Sequence, residues 1–530
     1  MPDFNVTWID YTIVGLYLIF TIGLGIWFAR GNRDAEDYFL GGRSFTWPLV
    51  GLSLLATNHS GASYIGLSSD GYANGIAVFN YEMVGALFLI VCLVFFLPFY
   101  IRRAQVFTTP EFLERRFNRK SRVAFSAYIV LSSVFIGIAV ALYAGATAVT
   151  VLFPGVPLWV AIVGLALVAG FYTVLGGLAA VIVTDTIQAI MFIIGGIAIA
   201  AVVYPQIGSL EQAREATPPD AFSLIRPLGD ETLPWLGLIT GLLIINVYFA
   251  CVDQTLLQRA FGARNLNHAR GGALLGAGLK LTLLFLLILP ATFAAVLYPG
   301  LENPDMVFPV LAFDTLPIGL RGLVLAALIA ATMSSLDSIL NALSTVVTMD
   351  FVRPLRPDIG QQSLVRIGQI VGTIILIFAV IWAPQIARFE TLWQYIQSAV
   401  GFTTPPIAAA FALGIFWRGA TGTAAFTTIV AGIPLGVVAF IVTQLPSFQL
   451  FEFQFLYAAA ILFVISCALM VGISRVTPPP SEEQVQNLVW SRELWKEESE
   501  ELEGKPWYAN YRIWSLVLMV IMAVLWIIFW

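Results

Sequence analysis

Charge is scarce in this chain of 530 residues: Asp, Glu, Lys and Arg together make up 11% of it, against 59% hydrophobic residues. A soluble globule carries roughly a quarter of its residues as charges, so that class is excluded. Histidine is scarcer still, with only His59 and His268, which leaves neither a metal-ligand cluster nor a nucleophile, base and orienter set. The three cysteines, Cys92, Cys251 and Cys467, are scattered through apolar runs, so no disulfide framework and no metal knuckle are indicated. There is no phosphate loop, and no polar excursion long enough to hold a catalytic domain. An enzyme is therefore not expected, and neither are a cofactor, a transition metal or a nucleic-acid partner.

What the chain has in abundance is long apolar runs, and its mean hydropathy is +0.86. At roughly 20 residues per crossing, about fourteen runs can be marked out. They begin near Trp8, Trp47, Ala77, Arg122, Leu158, Ala179, Leu233, Gly272, Gly322, Val365, Arg388, Gly422, Phe451 and Arg512. The expected fold class is an all-α polytopic membrane protein in a lipid bilayer. The boundary between Gly170 and Ala180 is the softest of these. The first run, Trp8 to Phe28, follows an acidic leader with no positive n-region and no small-residue cleavage site, so it reads as a retained helix.

The basic residues set the orientation. With the N-terminus outside, the inner loops receive Arg30, Arg33, Arg43, the cluster from Arg102 to Arg122, Arg259, Arg264, Arg270, Arg353, Arg356, Arg366, Arg418 and the basic residues of the last connector. Only Arg214, Arg226, Arg321 and Arg388 fall outside. The positive-inside rule then places both termini on the extracytoplasmic side of the plasma membrane. Residues 475–509 form a cytoplasmic connector with one surface helix.

Polar groups inside apolar helices need a reason. In Ala331-Thr-Met-Ser-Ser-Leu-Asp-Ser-Ile-Leu-Asn341, Ser334, Asp337 and Ser338 share one helical face and offer hard oxygen atoms suited to sodium. Serines alone would be about as well explained by back-bonding to the preceding turn, but an ionisable residue in hydrocarbon marks a functional site by default. The second span is interrupted at Ala56-Thr-Asn-His-Ser-Gly-Ala-Ser63, and a later span at Asn246-Val-Tyr-Phe-Ala-Cys-Val-Asp-Gln254. Membrane helices break only where the freed carbonyls line a cavity or bind an ion. Two interrupted spans about five helices apart point to an inverted-repeat transporter with its site near the midplane. Glu82, Lys280, Asp185 and Gln397 add further intramembrane polarity; Glu82 and Lys280 either pair or share hydrogen bonds with a polyhydroxylated ligand, and Asn58, Asn246 and Gln397 contribute amides.

The motifs Ala35-Glu-Asp-Tyr-Phe-Leu-Gly-Gly-Arg43, Thr109-Pro-Glu-Phe-Leu-Glu-Arg-Arg-Phe117, Gly176-Gly-Leu-Ala-Ala-Val-Ile-Val-Thr-Asp-Thr-Ile-Gln188, Asp253-Gln-Thr-Leu-Leu-Gln-Arg259, the Ser334 run ending in Thr348-Met-Asp350, and Tyr395-Ile-Gln397 occur in that order. With them the chain resembles the solute:sodium symporters, and within these the sodium/glucose cotransporter branch, over nearly its whole length. The resemblance implies a leucine-transporter architecture: two inverted five-helix repeats, with one extra helix before them and three after. Residues 1–45 would hold the extra N-terminal helix and a cytoplasmic loop, 46–206 the first repeat, 207–232 an extracellular loop and 233–418 the second repeat. Two more helices would follow in 419–474, then the connector 475–509 and the last helix in 510–530.

The same resemblance implies site residues. A sodium site would use the Ala56, His59 and Ala331 carbonyls with the Ser334 and Ser335 hydroxyls. A second sodium site would fall on Asp185, Asp337 and Ser338, with a bound proton as the alternative occupant. The solute would meet Asn58, Ser63, Tyr81, Glu82, Asn246, Lys280 and Gln397, between gates formed by Leu67, Phe249 and Trp393. Ser63, Gly85, Gly137 and Phe249 depart from the sugar-transporting pattern, which leaves the solute's identity open. The expected function is sodium-coupled symport of a neutral monosaccharide by alternating access. Two alternatives stand beside it: symport of another small solute such as a polyol, amino acid or carboxylate, or a sodium and sugar sensor without flux.

Overall fold

A computed structural model describes residues 7–30, 34–59, 61–153, 155–207, 210–217, 219–230, 233–301, 304–388, 399–443 and 454–530. Among these residues the chain is helical almost throughout, with only two isolated bridges, Phe45 with Ala263 and Arg226 with Pro234. The principal helices are α1 (Trp8–Ala29), α2 (Trp47–Asn58), α3 (Gly61–Asn74), α4 (Phe79–Phe95), α5 (Arg119–Ser132), α6 (Ala139–Leu152), α7 (Leu158–Val203), α8 (Leu243–Cys251) and α9 (Gln254–Phe261). They continue with α10 (Leu266–Leu283), α11 (Leu289–Leu297), α12 (Leu320–Val346), α13 (Gln361–Trp382), α14 (Pro405–Phe416), α15 (Gly422–Thr443), α16 (Phe455–Val476), α17 (Arg492–Leu502) and α18 (Tyr511–Ile528).

Ten helical stretches among the described residues are long and apolar enough to span a bilayer, or eleven if the bent pair containing α8 and α9 is one crossing. That is fewer than the fourteen expected, because continuous helix hides turns and some apolar helices are short, and the run expected from Arg388 lies largely outside the described residues. Residues Ser63–Arg103 run as one stretch of 41 residues, about 60 Å at 1.5 Å per residue and twice the hydrocarbon thickness. Gly75, at φ +76°, breaks it between α3 and α4. Helix α7 is likewise broken at Gly177 (φ 64°, ψ −163°), a conformation open to glycine without strain, inside the soft boundary between Gly170 and Ala180. Helices Leu158–Phe171 and Pro405–Phe416 are apolar but short.

Burial explains where polarity is tolerated. Helix α12, which carries the serine run, is the most enclosed of the spans and packs on α1, α6, α7 and α13. Helix α18 lies at the periphery and exposes Val520 and Ile527, as a lipid-facing helix should. The start of α12 is capped from another helix: Asp10 Oδ1 of α1 accepts from the Gly322 N–H at 2.8 Å and the Gly319 N–H at 3.1 Å. Helix N-termini carry unsatisfied donors, and Asp10 meets two of them. Asp10→Ala is therefore expected to cost about 1–2 kcal/mol, read as a lower melting temperature in detergent. An unchanged melt would show that water replaces the carboxylate.

The connector is tied down. Glu497 bonds Arg103 at 2.8 Å, Glu498 bonds Arg270 at 2.7 Å and Glu501 bonds Arg102, so α17 lies across the end of the bundle that bears the basic loops. Hydrogen bonding to Arg102 holds the Glu501 carboxyl below its ordinary range. At the opposite end the Leu224 N–H donates to Phe529 O at 2.7 Å, so Leu224 and the last residues share one side.

Candidate functional site: a polar cavity beside two broken helices

Helix α2 ends at Asn58, and His59 is extended (φ −115°, ψ 99°), so the break falls within the predicted Ala56 to Ser63 stretch. The chain resumes at Gly61, hard against α12: a Cβ there would lie 2.8 Å from Thr332 Oγ1 and 3.3 Å from Leu328 O. This close approach sets the break beside the face of α12 that carries Ala331 and Ser335. The five residues expected at a first ion site, Ala56, His59, Ala331, Ser334 and Ser335, are all buried. Ser335 Oγ donates to Ala331 O at 3.2 Å.

The second break is where the sequence places it. Helices α8 and α9 belong to segments bent by 43° around Val252 and Asp253. Between the two breaks lies a cavity of about 340 Å³, within the size range of small-molecule sites. Asn58, Ser63, Leu67, Tyr81, Glu82, Asn246, Phe249 and Lys280 all line it, with Ser335. Gln397 and Trp393 lie outside the described residues. The cavity wall continues past the second break to Asp253 and Thr255.

Glu82 and Lys280 are paired, with Lys280 Nζ 2.7 Å from Glu82 Oε2 and both side chains almost fully buried. Lys280 also donates to Asn58 Oδ1 at 2.6 Å. His59, called for its carbonyl alone, also uses its ring: Nε2 is 2.9 Å from Glu82 Oε2 and Nδ1 is 2.9 Å from Leu55 O. The broken helix thus reaches the Glu82 and Lys280 pair through two consecutive residues.

Asp185 is fully buried on α7 and accepts from Ser53 Oγ at 2.6 Å, Ser334 Oγ at 2.6 Å and Thr57 Oγ1 at 3.2 Å. Ser338 Oγ lies 3.3 Å from Thr57 Oγ1 and donates to Asp337 Oδ1 at 3.3 Å. The residues called for the second ion are therefore together. The positive charge against Asp185 is nevertheless a protein group: Arg259 Nη2 is 3.3 Å away and also bonds Ser338 Oγ. Arg259, counted in the sequence as an inner-loop cation, is fully buried on α9, and this corrects that placement. Arg116 is corrected in the same way: it is buried, and its Nε and Nη2 donate to Gly414 O and Trp417 O at the end of α14 at 2.8 and 2.9 Å. No charge-counting rule separates such arginines from loop cations.

A helical bundle with two interrupted helices around a buried polar cavity is the arrangement of a secondary transporter. The family description "sodium:solute symporter family" matches residues 38–432. The chain belongs to that family. The sodium/myo-inositol cotransporter 2 of Bos taurus is 34% identical over 532 residues, covering 91% of this chain and 78% of that protein. The sodium/glucose cotransporter of Vibrio parahaemolyticus is 31% identical over 560 residues, covering 100% and 99%. Among solved structures, a sodium-coupled sialic acid symporter in a substrate-bound, outward-open state superposes with a TM-score of 0.78 at 22% identity, covering 90% of this chain and 99% of that one. That likeness is one of fold, the leucine-transporter type, and the protein is a sodium-coupled solute symporter and not an enzyme.

Proposed function

We propose that the solute is neutral and polyhydroxylated, a hexose or a cyclic polyol, carried into the cell with sodium. The observation that carries this reading is the cavity wall: Glu82, Lys280, Asn58 and Asn246 present acceptors and donors side by side while the Glu82 and Lys280 charges cancel. Such a wall suits hydroxyl groups, which both donate and accept. The glucose and myo-inositol cotransporters among the relatives support the same class. A carboxylate or free amino acid would face a cavity with no unopposed charge at this pair.

Sodium at Ala56, His59, Ala331, Ser334 and Ser335 would fasten the break in α2 to α12 and complete the cavity, favouring one conformation by differential affinity. A charge crossing ~100 mV yields ~2.3 kcal/mol, and a roughly tenfold sodium gradient adds ~1.4 kcal/mol. We assign the basic end, where α17 lies, to the cytoplasm, which puts both termini outside a plasma membrane.

Uptake into proteoliposomes of labelled glucose, galactose, myo-inositol, an amino acid and a dicarboxylate, with sodium or choline in the bath, tests the proposal. Sodium-dependent uptake confined to the sugars or the polyol is expected; uptake of the dicarboxylate alone would overturn it. Ser335→Ala and Asp337→Ala should each raise the sodium half-saturation concentration, and values equal to the unmodified protein in both would remove these residues from ion binding.

A further inference from the structure

Arg259 needs an explanation that the symport reading does not supply. An arginine stays charged under all ordinary conditions, and here it is fully buried, with Nε unpartnered among the described residues. It sits among the oxygens of Asp185 and Ser338, which would suit a small cation. One turn further along the same face of α12, Asn341 is buried, and its Nδ2 and Oδ1 have no partner among the described residues. Beside it, Gln258 donates through Nε2 to Thr345 Oγ1 at 2.6 Å and to Phe39 O at 2.8 Å, yet its Oε1 has no partner. Arg259 reaches Ser338 and Gln258 reaches Thr345, and Asn341 lies between those two on the same face of α12. Buried amides are almost always hydrogen-bonded, and an arginine's donors match the two oxygens that no described protein group reaches.

We infer that Arg259 is a tethered cation that competes with sodium for Asp185, moving to the Asn341 and Gln258 amide oxygens when the ion enters. The inference rests on the proposed sodium coupling. Asp185 needs a positive partner at all times, because a lone buried carboxylate is costly. Arg259 fills that need without the ion. Sodium at the second site, among Asp185, Asp337 and Ser338, would set two like charges side by side, and the arginine, being on a flexible side chain, is the one free to leave. Ser338 and Asn341 are three residues apart on α12, about 4.5 Å along the axis, within an arginine's swing. The exchange would also act on the cavity. Arg259 belongs to α9, whose first turn contributes Thr255 and Leu256 to the cavity wall. Trading Asp185 for Asn341 shifts the restraint on that helix at the basic end.

Sodium binding to the purified full-length protein, measured as labelled sodium retention and as thermal stabilisation with choline chloride holding ionic strength constant, tests this. Arg259→Met should tighten sodium binding roughly tenfold and Asn341→Leu should weaken it roughly tenfold, the size of an ordinary coupling between two sites. Arg259→Lys, which keeps the competing charge, should stay close to the unmodified protein. Opposite signs in the first two variants are what a merely structural arginine cannot produce. Sodium binding no tighter in Arg259→Met, or unaltered in Asn341→Leu, overturns the exchange. Should Arg259→Met not fold, Asn341→Leu, which removes only the landing place, decides alone. Solute uptake by the unmodified protein tests the symport reading separately, so either can fail without the other.

Discussion

Replacing Glu82 by alanine will destabilise the protein by about 3–5 kcal/mol and remove solute binding in the same step, because it strands a buried ammonium. Glu82 Oε2 is the shared partner of Lys280 Nζ at 2.7 Å and His59 Nε2 at 2.9 Å. Without it, Lys280 keeps, among the described residues, only Asn58 Oδ1, a neutral acceptor that cannot balance its charge. The effect should reach the proposed ion site as well, since His59 and Asn58 are the residues at which α2 breaks. Thermal unfolding in detergent, with and without sodium, reads the first effect, and equilibrium binding of labelled solute reads the second. The double variant Glu82→Ala with Lys280→Met removes both charges and should recover much of the stability but none of the solute affinity. If the single variant melts with the unmodified protein, the pair is not the electrostatic centre of the cavity.

The positions of the two breaks were legible because hydrocarbon forbids what they contain. Asn58 and His59 in one span, and Asn246 and Asp253 in another, have no place in a continuous lipid-facing helix. The structure bends or ends the helices within a few residues of both. The pairing of Glu82 with Lys280 was legible as one of two possibilities for the same reason: isolated charges at that depth are untenable. The count of crossings was less secure. Composition marks where an apolar run starts, but the breaks at Gly75 and Gly177 depend on backbone conformation, and the apolar run passes through them with little change in hydropathy.

Arg259 and Arg116 were illegible for another reason. The positive-inside rule counts arginines near span ends, and both lie near span ends; whether such a side chain turns into water or into the protein depends on what packs over it. For Arg259 that is Asp185, 74 residues away, and for Arg116 the carbonyls closing α14, some 300 residues away. Asp10 as a cap for α12 was hidden likewise, because a cap supplied from another helix leaves no local signature. The one available signal for Arg259 lay in Asp253-Gln-Thr-Leu-Leu-Gln-Arg259 itself, a strongly polar half-helix directly after a break.

Asp350→Ala should produce the other large effect, again about 3–5 kcal/mol, at the basic end of the bundle. Asp350 Oδ1 accepts from Arg122 Nη2 at 2.6 Å, Arg122 Nε at 3.0 Å and Thr108 Oγ1 at 2.7 Å, while Oδ2 accepts from Ser126 Oγ at 2.7 Å. Arg122 keeps Glu114 and the Met349 carbonyl, so part of its charge stays compensated, and the loss should sit toward the lower figure. The functional consequence follows from what the bond joins. Arg122 and Ser126 belong to α5, whose Tyr128 and Ser132 line the cavity; Asp350 closes the helix that carries Ser334 and Ser335. The helix proposed to hold the ion and the helix that lines the cavity are thus joined there, at the basic end. Cutting that bond should let the two move apart, so that sodium crosses with less solute: the ratio of solute to sodium flux in proteoliposomes falls while sodium flux persists. A variant in which both fluxes fall in proportion would confine the bond to folding alone, because a loss of intact protein lowers the two together and leaves their ratio where it was.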